Sequence, residues 1–137
     1  MRGQRVVLFG GFVLLLCTPA AIAWQGHARK DEPVAKVLAR VPRKAKGKVN
    51  PFEGDAEAIA AGRKLFGQHC SECHGEMANG SSRGPSLRLA AQEAESGEMF
   101  WIVTNGVVRH GMPSWSKLPD AQRWQIVAFL HGMKDGK

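Results

Sequence analysis

The chain has 137 residues, which is enough for one domain and little more. Its formal net charge is +7, but residues 24–50 hold eight Lys and Arg against two acidic residues, whereas residues 51–137 hold nine against ten. The basic character therefore belongs to an N-terminal segment, so we do not expect a domain that binds nucleic acid.

Residues 1–23 have the three parts of a secretory signal. Two arginines precede an apolar run over residues 6–17, and a small-x-small sequence follows at residues 21–23. We expect cleavage after Ala23 and export to the periplasm, with an uncleaved membrane anchor as the alternative. Cleavage would leave 114 residues that contain two cysteines. Because the exported chain enters an oxidising compartment, both thiols should be bonded to something.

Residues 24–50 are rich in Lys, Pro and Ala and poor in large apolar side chains. This composition predicts an extended, solvated tether. Its positive charge also suits contact with an anionic membrane surface or with an acidic partner. We therefore place the folded domain at residues 51–137.

The domain opens with the pattern of an amphipathic helix over residues 56–70. Asp55 is a suitable cap for its first turn. Ile59, Gly62 and Phe66 recur at helical spacing and share one face. A loop rich in Gly and Ser follows this helix.

A second helix is predicted over residues 92–106. The competing interpretation is a β-hairpin at residues 100–110, because Asn105-Gly106 stands between two runs that contain β-branched residues. We favour the helix, since residues 100–103 are apolar without alternation and Asn-Gly also suits a helix C-terminus.

A third helix is predicted over residues 120–134, directly after Pro119. The pattern contains no long strand and no repeat. We therefore expect an all-α fold of three to four helices joined by long loops. Loops of this length are usually organised around something, and a large apolar cofactor would supplement a small core.

The sequence Cys70-Ser-Glu-Cys73-His74 fits three chemistries unequally well. A structural zinc site needs four ligands, and the chain has no second cysteine pair. A dithiol redox motif starts a helix after a strand, whereas this motif ends a helix. Covalent haem attachment needs this pattern: two thiols form thioethers with haem, and His74 binds the iron.

The opposite face of the iron needs a second ligand if the haem is to be an electron carrier. Met112 lies 38 residues beyond His74, in a loop where Gly111 before it is conformationally permissive and Pro113 after it restricts φ. The other methionines lie close to the motif or on apolar helix faces, where they are expected to pack. We predict His74 and Met112 as the two axial ligands, with His110 as the rival to Met112.

A ligating histidine normally donates its other ring N–H to an acceptor that fixes the ring. The segment "RGPSL" supplies Pro85, whose carbonyl can accept that bond, although Pro85 could also simply shape the loop.

The segments "GRKLF", "CSECHG", "GPSL", "FWIVTNG", "GMPSW" and "WQIVAFL", spread over residues 55–133, resemble the small bacterial, single-haem class I cytochromes c. The resemblance implies a helical fold around haem c, in which Gly62 and Phe66 cross the last helix near Phe129. It also implies Pro85 as the acceptor for His74. The residues that it implies as haem-pocket packing are Leu87, Trp101 and Trp115.

The resemblance further implies outer-sphere electron transfer without enzymatic activity, between a donor and an acceptor that are redox proteins. The segment "NPFEGDAEAIAAGRKLF" is most similar to cytochromes that serve periplasmic quinoprotein alcohol dehydrogenases. We expect a monomer with one haem c. The alternatives are a haem subunit of a larger oxidoreductase and a ligand-binding or peroxidatic haem protein.

Overall fold

The computed structural model describes residues 34–133, so the predicted signal, residues 24–33 and residues 134–137 lie outside the described part of the chain. The described residues are helical and contain no strand, only one isolated bridge, which confirms the all-α class. None of these helices is both long and apolar enough to cross a membrane. The helices are α1 (residues 34–38), α2 (Arg43–Lys46), α3 (Ala56–His69), α4 (Ser71–His74), α5 (Arg88–Glu93), α6 (Ser96–Asn105) and α7 (Asp120–Gly132), with a 3-10 turn at Val108–His110.

The first and third predicted helices are confirmed as α3 and α7. The side chain of Asp55 accepts hydrogen bonds from two backbone N–H groups of the first turn of α3, at 2.9 and 3.0 Å. This cap satisfies donors that have no partner inside the helix. Helix α7 begins directly after Pro119.

The prediction of one continuous helix over residues 92–106 is wrong, because the structure has two helices in this range. Helix α5 ends at Glu93 and α6 begins at Ser96. The break exists because Glu95 and Glu98 cap each other's backbone N–H groups, which starts a new helix. The hairpin alternative is also wrong, since α6 continues to Asn105.

Helices α3 and α7 cross at the centre of the fold. A Cβ atom at Gly62 would lie 1.9 Å from the carbonyl oxygen of Gln125, so only glycine allows the two backbones to approach this closely. The rings of Phe66 and Phe129 pack beside this point, with centroids 5.3 Å apart. The predicted crossing is confirmed. It fixes the C-terminal end of α3, from which the Cys-x-x-Cys-His motif follows.

The expectation of an extended tether is wrong for residues 34–50, which we call the strap. Val34, Val41, Ala45 and Asn50 of the strap are all buried. Val34 belongs to the hydrophobic core, and Leu38 packs against that core. The strap is therefore folded onto the domain. Burial of its apolar side chains stabilises this arrangement, because it removes apolar surface from water.

Candidate functional site

The motif lies at the junction of two helices. Cys70 separates α3 from α4, and α4 carries Cys73 and His74. The His74 side chain is buried, and its Nδ1 lies 2.9 Å from the carbonyl oxygen of Pro85. Because a carbonyl can only accept, Nδ1 carries the proton and donates it, as the sequence predicted. Nε2 is thereby left with a lone pair that can bind a metal.

The loop after His74 folds back over the motif. The N–H of Gly80 donates to the carbonyl of His74 at 2.8 Å, and the Ser81 hydroxyl donates to the carbonyl of Cys73 at 2.6 Å. Gly84 passes so close that a Cβ atom there would lie 2.9 Å from the Cys73 carbonyl oxygen and 3.2 Å from His74 Nδ1. The loop and α4 together hold the imidazole in one orientation.

His74 and Met112 line the same cavity, whose volume is ≈ 430 Å³. The predicted pair of axial ligands is thus brought to one space, although the two residues are far apart in sequence. His110 also lines this cavity, so the rival to Met112 is present as well. Apolar side chains make up much of the rest of the wall: Val34, Val37, Leu87, Met99, Ile102, Val103, Val107 and Leu130.

Met112 is carried by a tight loop after α6. Gly106 ends α6 with φ +70° and ψ −179°, a conformation that is nearly restricted to glycine. Val107 and Met112 then exchange two backbone hydrogen bonds, at 3.0 and 3.3 Å. The left-handed Gly111, with φ +87°, completes the turn between them. Met112 is half-buried, whereas His110 at the tip of the turn is exposed.

Of the three residues predicted to pack on the haem, one lines the cavity and two do not. Leu87 lines the cavity, but Trp101 and Trp115 are not among its lining residues. The ring of Trp115 instead packs on His69, with centroids 5.1 Å apart. Contact of the two tryptophans with a cofactor stays a prediction. The sequence interpretation missed Val34 and Val37, although their helical spacing with Leu38 and Val41 is an apolar pattern that could have revealed them.

The alternative chemistries fit this geometry less well. Burial, together with the neighbouring Cys73, raises the pKa of the Cys70 thiol to about 12. A lowered pKa is typical of a redox-active cysteine, so the raised pKa of Cys70 gives no support to dithiol exchange. Within residues 34–133, no group of three or more His, Cys, Asp or Glu side chains is arranged to hold a metal ion by itself.

The residues present do suit haem c. A buried imidazole with its tautomer fixed, a thioether on the same cavity, mostly apolar walls and two thiols next to the imidazole are the donor set that this cofactor needs. Each of these groups either lies in a contact of the structure or belongs to the Cys-x-x-Cys-His motif.

Comparison with known proteins finds a matching family and similar proteins. The family described as "Cytochrome C oxidase, cbb3-type, subunit III" matches residues 57–130. The chain is 31% identical over 100 residues to the Cbb3-type cytochrome c oxidase subunit CcoP of Azospirillum brasilense, covering 65% of this chain and 33% of that protein. It is 36% identical over 83 residues to the quinohemoprotein alcohol dehydrogenase ADH-IIG of Pseudomonas putida, covering 60% and 11%. The chain thus spans a third or less of the length of these relatives.

A solved structure is also similar. The crystal structure of cytochrome CL from the marine methylotroph Methylophaga aminisulfidivorans MPT superimposes with a TM-score of 0.56 and 27% sequence identity, over 69% of this chain and 70% of that one.

Proposed function

Because this chain belongs to the class I cytochrome c family, we propose that it is a periplasmic electron-transfer protein that carries a single haem c. Cys70 and Cys73 hold the haem through thioethers, and His74 and Met112 are the axial ligands. The observation that carries the proposal is the meeting of His74 and Met112 at one cavity, with the His74 tautomer fixed by Pro85.

Each ligand has a defined task in this proposal. Haem c, when bound, supplies a one-electron couple between Fe(III) and Fe(II). His74 directs the Nε2 lone pair into the cavity, while its Nδ1–H bond to Pro85 prevents rotation of the ring and raises its basicity. Met112 supplies a neutral, soft sulfur that favours the reduced state and raises the reduction potential. The apolar wall keeps water away from both ligands.

With His74 and Met112 both holding the iron, no position would remain for a substrate, so we propose an electron carrier without enzymatic activity of its own. Its partners are redox proteins that dock transiently. A quinoprotein alcohol dehydrogenase as the donor is supported by the similarity to the dehydrogenase of Pseudomonas putida. The second candidate, a haem subunit of a larger oxidoreductase, is supported by the similarity to CcoP. We propose a monomer, an exported location, and contact of the basic residues 24–50 with an anionic membrane surface.

The proposal is tested by expressing the full chain in a bacterium that attaches haem to exported proteins. The mass of the purified protein should exceed that of the polypeptide by one haem, and the haem should remain attached after denaturation. Redox titration should give a reversible one-electron step. Cys70→Ser with Cys73→Ser should lose the covalent haem, whereas the matched change Ser71→Ala should not. A wild-type protein without covalent haem, or a reduced protein that binds carbon monoxide readily, would contradict the proposal.

A further inference from the structure

The strap, residues 34–50, lies outside the matched residues 57–130 and yet forms part of the cavity wall. Val34 and Val37 line the cavity together with His74 and Met112. We propose that the strap is a fixed cover of the haem cavity, which restricts the access of water and raises the reduction potential. This proposal rests on the proposed function, because it takes the cavity to be the haem site.

The strap has an apolar face that is turned to the domain. Val34, Leu38, Val41 and Ala45 follow one another at spacings of four, three and four residues, and all are buried or half-buried. The opposite face is charged and exposed: Lys36, Arg40, Arg43, Lys44 and Lys48. This division is that of a segment packed on a protein, since a solvated tether would not bury one side selectively.

Backbone contact fixes the strap to the N-terminus of α6. A Cβ atom at Gly97 would lie 1.9 Å from the carbonyl oxygen of Ala45 and 2.9 Å from that of Lys48. Such close approach of two backbones is possible only because residue 97 has no side chain. This contact therefore fixes the position of the strap relative to α6 at Gly97.

Two polar contacts hold the strap on either side of this point. Lys46 Nζ lies 2.8 Å from Glu98 Oε1, and the Glu98 side chain is only 7% exposed. The side-chain amide of Asn50, which is buried, donates to the carbonyl of Trp124 on α7 at 3.0 Å. Undocking would leave the buried Glu98 carboxylate and the buried Asn50 amide without these partners, so the cover should stay closed.

A closed cover affects the metal through its surroundings. Water stabilises the ferric form, which carries one more positive charge than the ferrous form. Exclusion of water by Val34 and Val37 therefore favours reduction. The strap thus acts on the haem without touching either axial ligand position.

The first test opens the cover in the holoprotein. Gly97→Ala places a methyl group where the Ala45 carbonyl lies, and overpacking against backbone should shift the strap toward its undocked form by roughly tenfold or more. Gly67→Ala is the matched control, because a Cβ atom at this helical glycine meets nothing within 4 Å. Trypsin reports undocking directly, since Arg40, Arg43 and Lys44 lie in the strap. We expect faster cleavage there and a lower potential in Gly97→Ala but not in Gly67→Ala.

A second pair of variants leaves the backbone contact in place. Val37→Asn introduces a polar group into the cavity wall, while Val49→Asn makes the same change at a strap residue that is 80% exposed. Only Val37→Asn should lower the potential. If Gly97→Ala does not fold, the reduction potentials of these two variants test the proposed cover by themselves.

The outcomes separate the two proposals. Absence of covalent haem in the wild type would overturn the proposed function. With haem present, the cover is overturned if Gly97→Ala speeds cleavage of the strap and leaves the potential unchanged. It is also overturned if Gly97→Ala leaves the cleavage rate at the wild-type value, or if Val37→Asn and Val49→Asn have equal potentials.

Discussion

His74 and Met112 reach the same cavity from parts of the chain that are built in different ways. His74 lies in α4, directly after the helix that crosses α7, and its ring is buried and hydrogen-bonded to Pro85. Met112 lies in a loop that depends on two backbone hydrogen bonds and on two glycines with positive φ. The first proposed ligand is held by a short helix and by the loop that folds back over it, and the second by the geometry of its own loop.

This difference suits a site that must accept a cofactor and then hold it. The ring of His74 is hydrogen-bonded to Pro85, so its position does not depend on a bound cofactor. The two hydrogen bonds that join Met112 to Val107 are made by backbone groups, so they place the loop and not the thioether. Changes on the His74 side should therefore abolish the site, and changes on the Met112 side should alter its properties.

The largest effect is expected from His74→Ala. Loss of a second-shell partner of a metal ligand costs about 10–100-fold in affinity or activity, and loss of the ligand itself should cost more. The yield of holoprotein, measured by absorbance of the haem relative to protein, should fall by at least that factor. His69→Ala is the matched control, since His69 packs on Trp115 and does not line the cavity. Equal holoprotein yields from both variants would contradict the assignment.

A smaller effect is expected from Gly106→Ala, which disturbs the loop that carries Met112. The new Cβ atom would lie 2.5 Å from the carbonyl carbon of Pro113, in a backbone conformation that L-residues avoid. Strain and overpacking together should lower the free energy of unfolding by about 2–5 kcal/mol. Denaturant titration of the holoprotein measures this change.

Gly111→Ala is the matched control for that prediction. Its φ is also positive, but a Cβ atom there meets nothing within 4 Å. Only the conformational strain remains, so the loss should be about 1–2 kcal/mol. A larger loss in Gly111→Ala than in Gly106→Ala would show that the loop is not held as described.

The smallest effect concerns Glu98, at the start of the helix that leads to the Met112 loop. Burial raises the pKa of this carboxyl, but hydrogen bonds from Lys46 and from the Glu95 N–H outweigh burial and hold the pKa below its usual value. A lowered pKa in the folded state stabilises the protein above the pKa of the unfolded state, about 4.3. This stabilisation is lost as the pH falls through the folded-state pKa.

Glu98→Gln should therefore be less stable than the wild type at neutral pH by about 1 kcal/mol, and the difference should shrink in acid. Urea unfolding at neutral pH and below pH 4 measures both quantities. Glu93→Gln, in the preceding helix, serves as the control. A difference that is constant over this pH range would rule out the proposed titration.

The sequence predicts the parts of this molecule that depend on local signals. Asp55 indicates the start of α3, and the Cys-x-x-Cys-His pattern together with Pro85 predicts which ring nitrogen of His74 carries the proton. The break between α5 and α6 was not predicted, because the reciprocal cap of Glu95 and Glu98 lies inside an otherwise helical pattern. The docked strap was also missed. Its high charge masks the apolar spacing, and its position depends on Gly97, far away in the sequence.

The pairing of His74 with Met112 is tested most directly by the absorption spectrum of the oxidised protein. A bond between the methionine sulfur and ferric iron gives a weak band near the red end of the visible range. We expect this band in the wild type and in His110→Ala, and its loss in Met112→Ala together with a lower reduction potential. A band that survives in Met112→Ala, or that disappears in His110→Ala, would contradict the account.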